Sequence, residues 1–184
     1  GVTVVGGSPT NDRTPALRGT AEAGSTVRLY VDSSDCSSTA VATGTAAEFA
    51  AEAGLEVDVQ LSSGVHTLHA AATDGLGNQG ACTAGAAVTI DFTPPVITGF
   101  SRVGPSPTTN VTPSVTGSVS EAGTVDVFGV STCAGSAEES GSVAEFEAGL
   151  TITPALADGS HSFWAQATDL AGNSTTAKRT VTYS

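Results

Sequence analysis

Methionine is absent from the 184 residues, tryptophan occurs once and tyrosine twice. A core here cannot rest on large aromatics or pliable thioethers. It must be assembled from Val, Leu, Ile and Ala, with a few Phe. Basic residues are as scarce: six Lys and Arg stand against eighteen Asp and Glu, for a net charge of −12. Phosphate backbones are bound by clustered cations, and none cluster here, so nucleic acid and anionic membrane surfaces are poor partners. Charged side chains make up 13% of the chain, about half the usual share. No apolar run approaches the roughly 18 residues of a membrane-spanning helix, and no secretory leader is recognisable. Beginning at Gly1 without Met, the chain reads as a processed or excised segment whose targeting and anchoring parts lie elsewhere. There is no G-x-S-x-G elbow and no Gly-rich phosphate loop between strand and helix. The chain is therefore expected not to be an enzyme.

What the sequence does contain is a repeat. Ser8-Pro9-Thr10 recurs as Ser106-Pro107-Thr108, Glu22-Ala23-Gly24 as Glu121-Ala122-Gly123, and Ala47-Glu48-Phe49 as Ala144-Glu145-Phe146. Gly64-x-His66 matches Gly159-x-His161, and Ala72-Thr73-Asp74 matches Ala167-Thr168-Asp169. The spacing, about 95 residues, is the size of one β-sandwich. Within the first unit apolar and polar residues alternate with period two, as half-buried strands require. Val27, Leu29 and Val31 form one such row; Leu55, Val57, Val59 and Leu61 a second; Leu68, Ala70 and Ala72 a third. Seven strands are predicted, near 2–5, 15–20, 26–32, 40–44, 55–61, 65–73 and 84–91, and the second unit repeats the set. Residues 45–53, ending at Gly54, can instead form one or two helical turns. Phe92-Thr93-Pro94-Pro95 breaks the pattern, because consecutive prolines cannot continue a central strand. The expected organisation is a domain over 1–91, a Pro-rich linker over 92–95 and a second domain over 96–184. The fold class is all-β: two tandem sandwiches of about seven strands each.

The segments Thr20-Ala21-Glu22-Ala23-Gly24-Ser25, Ala72-Thr73-Asp74-Gly75-Leu76-Gly77-Asn78 and Val88-Thr89-Ile90-Asp91-Phe92-Thr93-Pro94-Pro95 resemble bacterial Ig-like repeats. Ala155-Leu156-Ala157-Asp158-Gly159-Ser160-His161 and Ala167-Thr168-Asp169-Leu170-Ala171-Gly172-Asn173 carry the resemblance through the second unit. It implies Ig-like sandwiches in an extended, extracellular scaffold at the bacterial cell surface. Such repeats build adhesin stalks and also accompany secreted enzymes. The implied function is a spacer in a cell-surface adhesin or appendage, its partners being neighbouring Ig-like repeats or further copies of itself. Three alternatives stay open: a module binding a surface glycan or protein, a subunit assembling homotypically into a filament, and an accessory domain of a secreted hydrolase. Antibody-like recognition is not implied, because no Cys–Trp–Cys spacing exists.

Three sets of residues stand out. In an Ig sandwich the BC and FG loops share one end with the N-terminus. That end of the second unit should gather Asp91, Glu121 and Asp169, three carboxylates suited to a hard cation such as Ca²⁺. Some bacterial Ig-like adhesins hold Ca²⁺ at domain junctions; the competing reading is solvated acids and an Asp that caps its own turn. Unit one offers Glu22 and Asp74. Cys36 and Cys82 are the second set, expected as a disulfide in an extracellular protein. A regular sandwich puts these positions at opposite ends, so one loop must fold back across it. Cys133 has no counterpart to Cys82 at Thr175-Thr176-Ala177; an inert buried thiol and an intermolecular bond both remain open. The third set is Phe128 and Trp164, placed on the outer face of the C and F strands, either as a contact site or as cross-strand packing. His66 and His69 are three apart on one strand and point to opposite faces, so they cannot chelate one ion. His66 and His161 read as turn histidines bonding backbone. The sequons at Asn110 and Asn173 read as chance.

Overall fold

The computed structural model describes residues 1–153, 155–175 and 180–183, the last four by backbone alone. The chain divides into two units, Gly1–Phe92 and Thr93–Ser184.

Unit 1 runs β1 (Val2–Val4), β2 (Ala16–Gly19), β3 (Thr26–Val31), β4 (Ala42–Thr45), α1 (Ala46–Ala50), β5 (Leu55–Glu56), β6 (Gly64–Thr73) and β7 (Ala86–Ile90). Two antiparallel sheets form, ordered β1-β2-β5 and β4-β3-β6-β7. The alternating rows meet between them. Leu17, Val27, Leu29, Phe49, Val57, Leu68, Val88 and Ile90 are each at most 2% exposed and belong to one core cluster. The single turn of helix between the sheets is set by its cap. Thr45 Oγ1 accepts from the Glu48 amide, and the Glu48 carboxylate accepts in return from the Thr45 amide. This reciprocal box satisfies donors that the helix start leaves without partners. It also turns Phe49 into the core.

Residues 55–61 do not form the expected full strand. Only Leu55–Glu56 pair with β2. The Asp58 amide then donates to Val41 O, beside β4 in the opposite sheet, and the Leu61 amide returns to Arg13 O. Crossing between sheets breaks the period-two register. Val57 and Leu61 stay buried at 1% and 5%, but Val59 is turned out to 44%.

Unit 2 repeats the architecture in β8 (Ile97–Val103), β9 (Ser114–Val119), β10 (Gly123–Phe128), β11 (Glu139–Ser142), α2 (Val143–Gly149), β12 (Leu150–Thr151), β13 (His161–Asp169) and β14 (Thr180–Tyr183). Its sheets are β12-β9-β8 and β11-β10-β13-β14. Ser142 and Glu145 rebuild the capping box. Phe146 enters the core, fully buried and stacked on Phe100 at 5.8 Å between ring centroids.

Candidate functional site

The acidic residues sit where the strand order puts them, at the tips of neighbouring turns. In unit 2, Glu121 lies in the turn between β9 and β10, and Asp169 closes β13. Gly123 and Asp169 are register partners, which brings those turns side by side. A carboxylate oxygen of Glu121 lies within 4.8 Å of one of Asp169. Asp169 is 8% exposed. Its two oxygens accept from the Asn173 amide and the Asn173 Nδ2, each at 2.8 Å. Asp91 directly follows β7 in unit 1, its amide donating to Thr10 O. Asp74 shows the turn-capping role in unit 1. It accepts from the amides of Leu76 and Asn78 and from Asn78 Nδ2. The Asn78 side-chain bond, followed by the backbone bonds, holds this carboxyl below its usual range. Glu22 helps form the neighbouring turn through its carbonyl, which accepts from the Ser25 amide and hydroxyl.

Cys36 and Cys82 are joined by a disulfide with Cα atoms 5.6 Å apart. The path that unites them is the segment after β6. It turns at Asp74 and runs back along β6, with the Gly80 amide donating to Ala72 O and the Thr83 amide to Ala70 O. Cys82 is thereby carried from the end of the sandwich to the middle of β6. The loop after β3 meets it there: Cys36 has φ 53° and packs with Tyr30 and Ala71. Cys133 takes the same left-handed backbone, φ 48°, and is half-buried. Thr176 and Ala177 lie outside the described residues.

Phe128 and Trp164 are direct cross-strand partners. They do not form an exposed aromatic pair, however: Phe128 is 6% exposed and Trp164 half-buried. Tyr30, opposite His69 at the same place in unit 1, is covered as well, at 5%. In unit 1 the cause is visible, since the disulfide loop folds over the outer face. Pleat alternation separates core face from outer face; it does not reveal whether a connection covers the latter.

The histidines bond backbone as expected. His161 Nε2 lies 2.8 Å from Ala157 O, and His66 Nε2 lies 3.0 Å from Ser62 O. His69 Nδ1 lies 2.9 Å from Thr83 O, which helps hold the returning segment. His66 has a further partner that its sequence position does not announce. Asp32, at φ 53° just past β3, places Oδ2 2.8 Å from His66 Nδ1, and its Oδ1 accepts from the Thr67 amide. The hydrogen bond that the ring donates to Asp32 raises its basicity, against partial desolvation. Burial works to raise the Asp32 carboxyl, but the bonds from Thr67 and His66 outweigh it and leave it lowered. The available signal was the register, which sets Asp32 beside Thr67. The sequon residue Asn110 caps a turn, accepting from the amide and hydroxyl of Thr112 as Asp12 does from Thr14. Asn173 is buried on Asp169.

The family described as bacterial Ig-like domain matches residues 6–92 and again 99–183. No curated protein matches the chain. Among solved structures, the fibronectin(III)-like modules of Clostridium thermocellum CbhA align over 100% of this chain and 93% of theirs, with TM-score 0.56 and 16% identity. The FN1–FN3 domains of chicken CNTN1 align over 98% and 67%, with TM-score 0.56 and 11% identity. At such identities the likeness is one of fold. No helix among the described residues is long and apolar enough to cross a membrane.

Proposed function

The chain belongs to the bacterial Ig-like domain family, and on that premise we propose that it is a non-catalytic spacer of an extracellular, cell-surface adhesin or appendage, holding binding parts away from the cell. The observation that carries this reading is serial repetition. One sandwich, with one capping box and one acidic turn, is built twice and occupies nearly the whole chain. A unit repeated in series adds length, and its binding partners in this reading are neighbouring Ig-like repeats. The test is replacement in the parent protein on cells. Deleting the segment should weaken adhesion, and an unrelated pair of Ig-like domains of equal length should restore it. Failure of the replacement would favour the module that binds a surface glycan or protein, with Trp164 the first residue to substitute.

Calcium belongs to the same proposal. Ca²⁺ takes oxygen ligands at about 2.3–2.6 Å. Two oxygens on one ion are therefore at most about 5 Å apart, and the separation of Glu121 from Asp169 fits. Each Asp169 oxygen keeps a lone pair beyond its bond from Asn173. An ion held there would neutralise carboxylates that otherwise repel. Calorimetric titration with CaCl₂ should give a Kd of order 10⁻⁴–10⁻³ M. Glu121→Gln should weaken it at least several-fold. Absence of binding heat would leave Asp169 as a turn cap alone.

A further inference from the structure

Ser62, His66 and Asp32 have the outline of a hydrolytic triad: Ser62 Oγ lies 3.4 Å from His66 Nε2, and His66 Nδ1 lies 2.8 Å from Asp32 Oδ2. One further atom alters its chemistry. The Ser62 carbonyl, which can only accept, is closer to Nε2 than the hydroxyl is, at 3.0 Å. Both ring nitrogens therefore face acceptors, and only the imidazolium can donate to both. A base that must hold its proton on the serine side cannot take one from the hydroxyl.

We propose that Asp32, His66 and Ser62 form a proton-operated latch in unit 1, which ties the turn before β6 to the end of β3 when the ring is doubly protonated and loosens when it is neutral. On losing its Nε2 proton the ring keeps one N–H, directed at Asp32. Its Nε2 lone pair then opposes the Ser62 carbonyl, and among the described residues the compensating partner is the longer contact from Ser62 Oγ. The Nε2–H bond breaks with its electron pair left on the ring, the proton passes to bulk water, and no other covalent bond changes. Of the charges around the pair, that of His69 acts on it, through Asp32. On the strand next to β6, β7 (Ala86–Ile90) carries no titratable side chain. On β3, Arg28 lies at the far end, beside Thr73. On β6 itself, His69 acts on Asp32 only through space. Asp35, in the loop with Asp32, is engaged by Ser33 and Ser37. Arg13 donates to Leu61 O and lies 4.7 Å from the Phe92 ring. Unit 2 keeps the backbone bond of the equivalent His161, but at the position of Asp32 it carries Gly129-Val130. The latch is a property of one repeat.

The sign follows from the two shifts. The His66 contribution is complete below its ordinary 6.5 and is lost as pH rises through its raised folded value. The Asp32 contribution is present above 3.8 and is lost as pH falls through its lowered folded value. Ring-proton NMR titration of the full chain should place the His66 midpoint above 6.5. Asp32→Asn should move it down, and Ser62→Ala, which deletes the hydroxyl but keeps the carbonyl, should move it up. The Thr67 amide, bonded to Asp32, should exchange faster at about pH 8 than at about pH 5 after correction for intrinsic chemistry, while amides of β10 show no such change. A midpoint at or below 6.5, a titration indifferent to both substitutions, or equal Thr67 protection at the two pH values would overturn the latch. So would covalent labelling of Ser62 by a fluorophosphonate, which would make it a nucleophile. Should Asp32→Asn fail to fold, the exposed Ser62→Ala and the wild-type exchange decide the matter.

Discussion

Phe146 illustrates how much rests on single residues in a chain short of aromatics. Its ring is fully buried, stacks on Phe100, and presses on Gly117, where an added Cβ would come within 3.0 Å of it. Unit 1 repeats the arrangement, with Gly19 2.8 Å from the Phe49 ring on the same measure. Phe146→Ala should cost about 3–5 kcal/mol, a large share of the roughly 5–15 kcal/mol typical of a domain. Urea denaturation would read this as a lower midpoint with an unchanged slope; a loss under about 1 kcal/mol would mean that the core collapses to fill the space. Gly19→Ala should cost about 1–3 kcal/mol by overpacking a ring that has nowhere to move. The glycine–phenylalanine contacts were not legible in sequence, because about 30 residues separate the partners and a glycine has no pattern of its own. The burial of Tyr30 was hidden for the same physical reason, since a covering loop leaves no mark on the alternation of the strand beneath it.

The elements themselves were largely legible. Period-two rows located β3 and β6 because one face of each is buried along most of its length. The helix over 46–50 lies inside the stretch 45–53, where Thr45 and Glu48 spell a capping box. The segment 57–61 misled because its apolar residues alternate as a strand would, while its amides are shared between two sheets. The returning segment after β6 was anticipated only through Cys82, whose bond required one loop to fold back. That loop should also be the most redox-sensitive part of the chain. Cys36 and Cys82 are 46 residues apart, and reduction should remove about 2–4 kcal/mol by freeing the unfolded chain. Calorimetry with and without reductant should show unit 1 melting lower while unit 2 is unmoved. A uniform shift would mean that the two units do not melt separately.

At the scale of the whole molecule the internal repeat was the strongest signal, and it translated directly into two units of similar size. Segments 1–92 and 93–184, prepared separately, should each show β-type circular dichroism and a cooperative melt; failure of both would mean that the units fold only together. The net charge of −12 keeps such repeats from clumping. Asp74 and Asp169 sit at turns, where backbone amides stabilise their carboxylates. The pairing of Thr10 with the far strand of unit 1 bears on what a spacer experiences. Thr10 runs parallel to Ile90, with its amide on Thr89 O and its carbonyl taking the Asp91 amide. If unit 1 is pulled by its two ends, these parallel segments are drawn past each other, and their bonds carry the force together instead of opening one by one. Thr10→Pro, which deletes the donor, should lower the rupture force of unit 1 in single-molecule stretching well before it lowers the melting temperature. Resistance to tension would then reside in a few backbone bonds near the termini, outside the apolar core.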